Sequence, residues 1–312
     1  MKWSLVVPCY NEENNVRRFM EICREAIGDS MSYEVVFVND GSRDNTWQEL
    51  KALHEAYPQC VKLINFARNF GKEAAMYAGL QRAEGDYVTV IDADLQQRPE
   101  IALDMVRFLD ANPDYDCVAA YQDTRRENKF ISLCKKMFYK LINAACEIDF
   151  KAGASDFRTM RKTMVQAVLS MREYHRFSKG IFAWVGFNTH YVPYVADERL
   201  SGKSTWSFKK LCKYAFDGII SFTIFPLHIA TVVGTVMSIG ALPYGIVVLV
   251  QKLAFGIDVP GYTTIVLLIL LIGGLQMIML GIIGEYIARI YIQGKHRPVF
   301  VAKEYIDSKT EE

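Results

Sequence analysis

The sequence predicts an α/β domain built on a parallel sheet, followed by two membrane-crossing helices. Three observations carry this. Over residues 4–120, short β-branched and aromatic runs alternate with longer segments of helical period, the pattern of a parallel sheet with covered faces. The runs end in polar or glycine-containing loops before the next helix, which is where open α/β sheets bind ligands. The chain is 51% hydrophobic, and its apolar excess lies after Leu227 in two uncharged runs.

Residues 4–7 form the first expected strand. Pro8-Cys9-Tyr10-Asn11 leaves it, and a helix is expected from near Glu12, with Asn11 as N-cap and Glu12 and Glu13 in the first turn. Residues 34–38 make a second strand ending in Asn39-Asp40-Gly41-Ser42, and Ser42 or Asp44 can cap the helix that runs through Tyr57. A third strand, residues 61–65, leads into Arg68-Asn69-Phe70-Gly71-Lys72 and a helix through Arg82. Residues 87–91 form a fourth strand, and Pro99 suits the first turn of a helix through Leu109. Residues 116–120 form a fifth.

The fourth strand runs into Asp92-Ala93-Asp94-Leu95-Gln96. In extended backbone, side chains at i, i+2 and i+4 share one side. Asp92, Asp94 and Gln96 would then offer three oxygens to a hard divalent cation, Mg²⁺ or Mn²⁺, which commonly shares its shell with a substrate phosphate. A polar loop after a buried strand is the plainer reading of the same residues.

Beyond Asp123 the chain turns basic, with Arg125, Arg126, Lys129, Lys135, Lys136 and Lys140, while Phe130, Leu133, Met137, Phe138 and Leu141 recur at helical spacing. That describes an amphipathic helix with a solvated basic face, or a landing site for an anionic group at a membrane surface. Residues 207–225 repeat the pattern and read as an interfacial helix. Residues 228–250 and 259–284 each exceed the roughly 20 residues that cross a bilayer, a length that two buried helices of a soluble core do not need. Lysines before the first run, with Lys295 and Arg297 after the second, put both termini in the cytoplasm. Ala230, Gly234 and Ser238 form a small-residue row suited to close packing within or between chains, and Glu285 and Arg289 are spaced to pair.

The expected organisation is therefore an α/β domain over 1–206, a juxtamembrane helix over 207–227, two spans over 228–292 and a cytoplasmic tail over 293–312. The α/β part has its own alternating pattern and all the ligand-binding candidates, so a chain cut after about Pro226 is expected to keep its binding function.

Several classes are excluded. A net charge of +1 gives a nucleic-acid partner no global support. Seven scattered cysteines without a Cys-x-x-Cys pair argue against a zinc site or disulfide framework, and suit a reducing compartment. No Gly-x-Gly-x-x-Gly follows the first strand, and Gly202-Lys203-Ser204 lacks the earlier glycine of a P-loop.

Val6-Val7-Pro8-Cys9-Tyr10-Asn11-Glu12, Val38-Asn39-Asp40-Gly41-Ser42-Arg43-Asp44-Asn45-Thr46 and Asp92-Ala93-Asp94-Leu95-Gln96 resemble the nucleotide-sugar and metal motifs of inverting family-two glycosyltransferases with a GT-A fold. Arg68-Asn69-Phe70-Gly71-Lys72 and Gly284-Glu285-Tyr286-Ile287-Ala288-Arg289-Ile290-Tyr291 narrow the resemblance to polyprenyl-phosphate glycosyltransferases, in particular the bactoprenol glucosyltransferase branch akin to dolichol-phosphate mannose synthase. It covers nearly the whole chain.

The resemblance implies a nucleotide-sugar site of Pro8, Tyr10, Asn11, Glu12, Asp40, Asn69, Lys72, Asp92, Ala93, Arg199 and Ser204. It implies a Mg²⁺ or Mn²⁺ site of Asp92, Asp94 and Gln96, catalytic roles for Asp94, Asp156 and Arg199, and acceptor-phosphate binding by Arg125, Arg126 and Lys135. The chain departs from the family pattern in two places. The second acceptor-phosphate arginine has no clear match, and Thr205-Trp206 stands where relatives often carry a basic and an aromatic residue. The absence of the Gln-x-x-Arg-Trp motif of processive synthases argues for single-sugar transfer. The implied activity moves one hexose, glucose from UDP-glucose, to undecaprenyl phosphate on the cytoplasmic face of the inner (plasma) membrane, in a multi-pass protein that forms homo-oligomers. Another nucleotide sugar or lipid, or a non-catalytic membrane adaptor, is the alternative; intact Asp92, Asp94 and Gln96 count against the adaptor.

Overall fold

The computed structural model describes residues 2–28, 30–122, 154–195, 220–221, 223–255 and 261–308. The chain divides into two compact units, Met1–Ala215 with Arg297–Glu312, and Phe216–His296.

In the first unit the order is β1 (Lys2–Cys9), α1 (Val16–Ile27), β2 (Ser32–Asn39), α2 (Thr46–Ala56), β3 (Val61–Phe66), α3 (Lys72–Arg82), β4 (Tyr87–Val90), α4 (Pro99–Ala111), β5 (Cys117–Gln122), β6 (Ala154–Arg161), α5 (Lys162–Ser170), α6 (Ser178–Trp184) and β7 (Thr189–Tyr194), with β8 (Ala302–Ile306) contributed from beyond the second unit. The strands form one sheet in the order β7-β5-β6-β4-β1-β2-β3-β8. Strands β3, β2, β1 and β4 are parallel, as the alternating pattern predicts, while β6 and β8 run against their neighbours. All five expected strands are present.

The central strands read as near-continuous apolar runs because both faces are covered. On one face Leu5, Val7, Val35 and Phe37 share a core with Phe19 of α1, Leu50 of α2 and Val106 of α4. On the other, Val36, Val38 and Ile64 meet the alanine face of α3, Ala74, Ala75 and Ala78. Small residues let α3 lie close to the sheet: a Cβ on Gly79 would come within 2.2 Å of Val6 Cγ1.

From β1 the chain steps outward through β2 to β3, and β4 then returns to the other side of β1. The order reverses between β1 and β4, which opens a crevice beyond their carboxyl ends. At the amino end of the same strands lies a closed charge network. Glu34 and Lys62, 2% and 5% exposed, pair at 3.1 Å. Lys2 Nζ is 2.7 Å from Glu34 and 3.0 Å from Glu84, while Ser4 Oγ and the Glu84 N–H donate to Glu34 Oε1.

Two local expectations are corrected. Helix α1 begins at Val16, not near Glu12. Asn11 is no cap: it sits in left-handed backbone at φ 57 and its side chain accepts from the Arg43 N–H. Ser42 likewise does not cap α2, because its Oγ accepts from the Asn11 N–H; the cap position is Asn45, whose side chain makes no capping bond, while Asp44 just before it accepts from the Thr46 N–H.

Residues 302–306, within the expected tail, form an edge strand. β8 pairs antiparallel with β3, and the Ala67 N–H donates to the Val301 carbonyl. Phe300 stacks on Phe66 at 4.8 Å, and Arg82 donates to both Asp307 oxygens at 2.6 Å. Without this strand β3 would present a row of unpaired backbone groups.

The second unit holds α7 (Phe225–Phe255) and α8 (Tyr262–Gly294), of 31 and 33 residues. At 1.5 Å per residue each is about 45–50 Å long, more than the ~30 Å hydrocarbon core. The first expected span lies inside α7 and the second lies inside α8 from Tyr262 onward, and the apolar segments Phe225–Gln251 and Leu267–Gly294 are long enough to cross a bilayer. Val232, Val236, Ile239, Leu270 and Leu271 are exposed, as a lipid-facing surface requires. Thr231, Thr235 and Ser238 donate to the carbonyls four residues back, which satisfies hydroxyls that lipid cannot. A Cβ on Gly234 would meet nothing within 4 Å, so the small-residue row is not packed against described residues. Glu285 and Arg289 pair at 3.3 Å as expected, and Arg289 also donates to Ser221 Oγ. The basic helix predicted after Asp123 and the interfacial helix before the spans fall mainly on residues 123–153 and 196–219, outside the described residues.

The edge strand changes what a truncation should do. A chain ending at Pro226 loses β8, Phe300 and Asp307, so thermal melting should show a large loss of stability and a tendency to aggregate. Joining residues 297–312 to that chain through a flexible linker should restore most of the melting temperature, whereas a linker of the same length without β8 should not.

Candidate active site at the carboxyl end of the sheet

Three loops build the crevice. The β1–α1 and β2–α2 loops are stitched together: the Glu12 N–H donates to Thr46 Oγ1 at 2.8 Å, the Glu13 N–H to Asp44 at 3.3 Å and the Asn45 N–H to Glu13 at 2.9 Å. Tyr10 and Asn11 are left exposed at the mouth, with Pro8 and Glu12 half-buried. The β2 loop also presses on the β3–α3 loop. Gly41 has φ +63, and a Cβ there would stand 2.4 Å from the Arg68 carbonyl carbon, so only glycine fits.

Asp40 is 3% exposed. Its carboxylate accepts from the Phe70 N–H at 2.7 Å and the Gly71 N–H at 3.0 and 3.2 Å. Burial pushes its pKa up to about 6, against the pull of those two donors and of Arg68. The resemblance assigns Asp40 to the nucleotide; in the fold it anchors the loop that carries Arg68, Asn69 and Lys72. Arg68 lies over the Phe70 ring at 4.1 Å, and Asn69 is exposed beside it.

Asp92, Asp94 and Gln96 do not lie on an extended strand. β4 ends at Val90, and the chain turns through Leu95 at φ 60, so the simple i, i+2, i+4 argument fails. Burial nonetheless alternates: Asp92, Asp94 and Gln96 are half-exposed while Ile91, Ala93, Leu95 and Gln97 are buried. The buried Gln97 holds the turn, accepting from the Asp92 N–H at 2.9 Å and donating to Asp92 Oδ2 at 3.1 Å. Asp94 accepts from the Gln96 N–H at 3.2 Å. Among the described residues no group of three His, Cys, Asp or Glu could hold a metal ion by itself.

Lys72, the first residue of α3, connects this turn to β6. Its ammonium lies 2.6 and 2.9 Å from the two oxygens of Asp92 and 3.3 Å from Asp156 Oδ2. Burial acts to lower the Lys72 pKa, but Asp92 and then Asp156 outweigh it and raise it. Burial acts to raise the Asp156 pKa; Lys72, Lys179 and Arg158 hold it below the usual value. Asp156 Oδ1 is buried with no hydrogen-bond partner among the described residues, a polar atom available to a ligand.

Beside them is a cavity of about 480 Å³ whose lining includes Arg68, Lys72, Glu73, Asp156, His175 and Lys179. Glu73, absent from the sequence prediction, accepts from both the N–H and the hydroxyl of Ser178 and so fixes the start of α6. Burial first, and the Asp156 charge second, push its pKa up to about 7. Nothing in the sequence flags Glu73 or Gln97, since their roles depend on partners that folding brings close. Arg125, Arg126, Lys135, Arg199 and Ser204 lie outside the described residues.

Residues 4–169 match the model of glycosyl transferase family 2, and residues 225–290 match the GtrB C-terminal hairpin. CsbB of Bacillus subtilis (strain 168) is 41% identical over 96% of this chain and 91% of its own. The prophage bactoprenol glucosyl transferase homolog of Escherichia coli (strain K12) is 40% identical over 97% of this chain and 99% of its own, and the bactoprenol glucosyl transferase of Shigella phage SfV is 39% identical over 97% and 98%. Among solved structures, mannosyl-3-phosphoglycerate synthase from Rubrobacter xylanophilus superposes with a TM-score of 0.50 at 16% identity, covering 70% of this chain and 71% of that one. The α/β unit has the expected GT-A fold.

Two outcomes follow from this geometry. Gly41→Ala combines left-handed backbone with a backbone collision, and should cost roughly 2–4 kcal/mol in denaturant unfolding. Glu73 binds its proton more tightly folded than unfolded, so its contribution to stability is full below its ordinary pKa of 4.5 and is lost as pH rises through about 7. Melting temperature against pH should therefore fall across that window in the parent protein, and Glu73→Gln should flatten the slope.

Proposed function

Because this chain belongs to glycosyl transferase family 2, we propose that it transfers a single glucose from UDP-glucose to undecaprenyl phosphate at the cytoplasmic face of the membrane. The observation that carries the reading is the meeting, in one crevice, of the Asp92–Asp94 turn with Asp156, whose buried Oδ1 has no hydrogen-bond partner among the described residues. The names of the full-length relatives support the glucosyl and bactoprenol parts, and the match to the hairpin supports a membrane acceptor.

The donor set fits a hard divalent cation, Mg²⁺ or Mn²⁺. Two half-exposed carboxylates and an amide supply part of an oxygen shell, and the donor's diphosphate supplies the rest. Bound there, the cation would neutralise charge that develops on the departing nucleoside diphosphate. Pro8, Tyr10, Asn11 and Glu12 form the nucleoside side of the crevice, and Asp40 holds the Arg68–Lys72 loop across from them.

Lys72 and Arg199 add positive charge on the diphosphate. Asp156 Oδ1 accepts a sugar hydroxyl and fixes the orientation of the ring. The acceptor phosphate is already anionic near neutral pH and needs little help from a base. Its oxygen attacks the anomeric carbon opposite the leaving diphosphate, the C–O bond to that group breaks with its electron pair, and the configuration inverts.

Arg125, Arg126 and Lys135 hold the lipid phosphate at the membrane surface. The spans confine the site to the leaflet where that phosphate sits, with both termini and the α/β unit in the cytoplasm. The small-residue row of α7 is the surface on which copies of the chain associate.

Membranes containing the full chain, incubated with several radiolabelled nucleotide sugars and extracted into organic solvent, should place label from UDP-glucose in the lipid phase. Chelator should abolish this and added Mn²⁺ or Mg²⁺ restore it. Asp94→Asn should reduce transfer by at least 100-fold while leaving the protein folded, about 3 kcal/mol of lost transition-state stabilisation. Changing Arg125 and Arg126 together to Ala should raise the lipid requirement and spare UDP binding. Transfer of another sugar in preference to glucose would overturn the donor assignment.

A further inference from the structure

The contact between Lys72 and Asp92 is unusual for a purely structural ion pair. The ammonium engages both Asp92 oxygens, at 2.6 and 2.9 Å, and reaches Asp156 at 3.3 Å. Gln97 donates to Asp92 Oδ2 as well. Every oxygen of Asp92 is therefore already engaged. Yet the pair is not sealed: the Lys72 side chain is 43% exposed and that of Asp92 28%. Lysine is a compact charge on a flexible stem, so Lys72 can leave this position without unpacking the core. It also starts α3, next to a loop held independently by Asp40, so the helix does not depend on the contact.

We propose that Lys72 is an internal counter-ion that competes with the divalent cation for Asp92, and that arrival of the nucleoside diphosphate releases it. The inference rests on the reading of Asp92 and Asp94 as cation ligands. An ammonium held against both carboxylate oxygens repels a divalent cation entering the same position, so the two compete for Asp92. A diphosphate entering between β1 and β4 offers Lys72 a second anion. Lys72 turns to the phosphate, Asp92 is freed, and the cation binds with the diphosphate rather than before it. Without donor, the Lys72 charge offsets part of that on Asp92 and Asp156; with donor, the same charge is spent on the leaving group. Cation and nucleotide binding are then positively coupled, and the coupling is reciprocal.

The test measures binding, not turnover. Free Mn²⁺ is followed by electron paramagnetic resonance while Mn²⁺ is titrated into the full-length protein in detergent, with and without UDP. The parent should bind Mn²⁺ weakly alone and at least tenfold more tightly with saturating UDP. Lys72→Met should bind Mn²⁺ without UDP at least tenfold more tightly than the parent, and UDP, whose diphosphate still completes the shell, should add less than it adds in the parent. Lys72→Arg, which keeps the charge, should behave like the parent, and this separates competition from any loss of folding. In the double variant Lys72→Met with Asp92→Asn the gain should vanish. Equal UDP-free affinity in the parent and Lys72→Met would overturn the competition while leaving the cation site intact. No Mn²⁺ binding by the parent even with UDP would overturn both the cation site and the inference built on it.

Discussion

The site rests on the contact Lys72 makes with two carboxylates, 2.6 Å from Asp92 and 3.3 Å from Asp156. Asp92 and Asp94 leave β4, Asp156 stands on β6 and Glu73 opens α3, within one crevice and its adjoining cavity. Lys72 lies between two of these carboxylates and is what lets them approach. Its place is fixed in turn by the loop before it, where Asp40 takes the Phe70 and Gly71 N–H groups and Gly41 permits the β2 turn to touch the backbone of Arg68. The charge balance of the site thus depends on a buried carboxylate and a glycine, neither of which need touch a substrate to matter.

The two ends of the sheet use charge differently. At the amino end, Glu34, Lys62, Lys2 and Glu84 satisfy one another, and the buried Ser4 hydroxyl and Glu84 N–H complete the set. Breaking such a network would leave a buried charge uncompensated, so it serves to fix strand register. At the carboxyl end, Asp156 Oδ1 has no hydrogen-bond partner among the described residues.

The membrane hairpin is better described as an insertion than as an appendage. The chain leaves the α/β unit before α7 and returns after α8 to lay β8 along β3. Both ends of the hairpin are therefore tied to the same unit. Phe300, packed on Phe66 at the margin of the core, and the exposed Arg82–Asp307 pair tie the return segment to the sheet.

Much of this was legible in the sequence because it is periodic and local. Alternating strands and helices, a proline at the start of α4, two apolar runs of spanning length and the Glu285–Arg289 spacing each follow from neighbours along the chain, and each is present. The candidates Asp92, Asp94, Asp156 and Lys72 could be named from motifs, but how they meet could not. The extended-strand argument for the Asp92 turn failed because Leu95 adopts left-handed backbone and Gln97 folds back on Asp92. The cap assigned to Asn11 became a contact to a different loop. The pairing of Lys72 with Asp156 spans 84 positions, and that of β8 with β3 more than 200, distances over which no local pattern carries information. The sequence by itself determined the fold class, the membrane hairpin and the residue types available for the chemistry. The tertiary structure decided which carboxylates share the Lys72 ammonium, which carboxylate shapes a loop and which segment seals the sheet, because those depend on contacts that exist only once the strand order has reversed between β1 and β4.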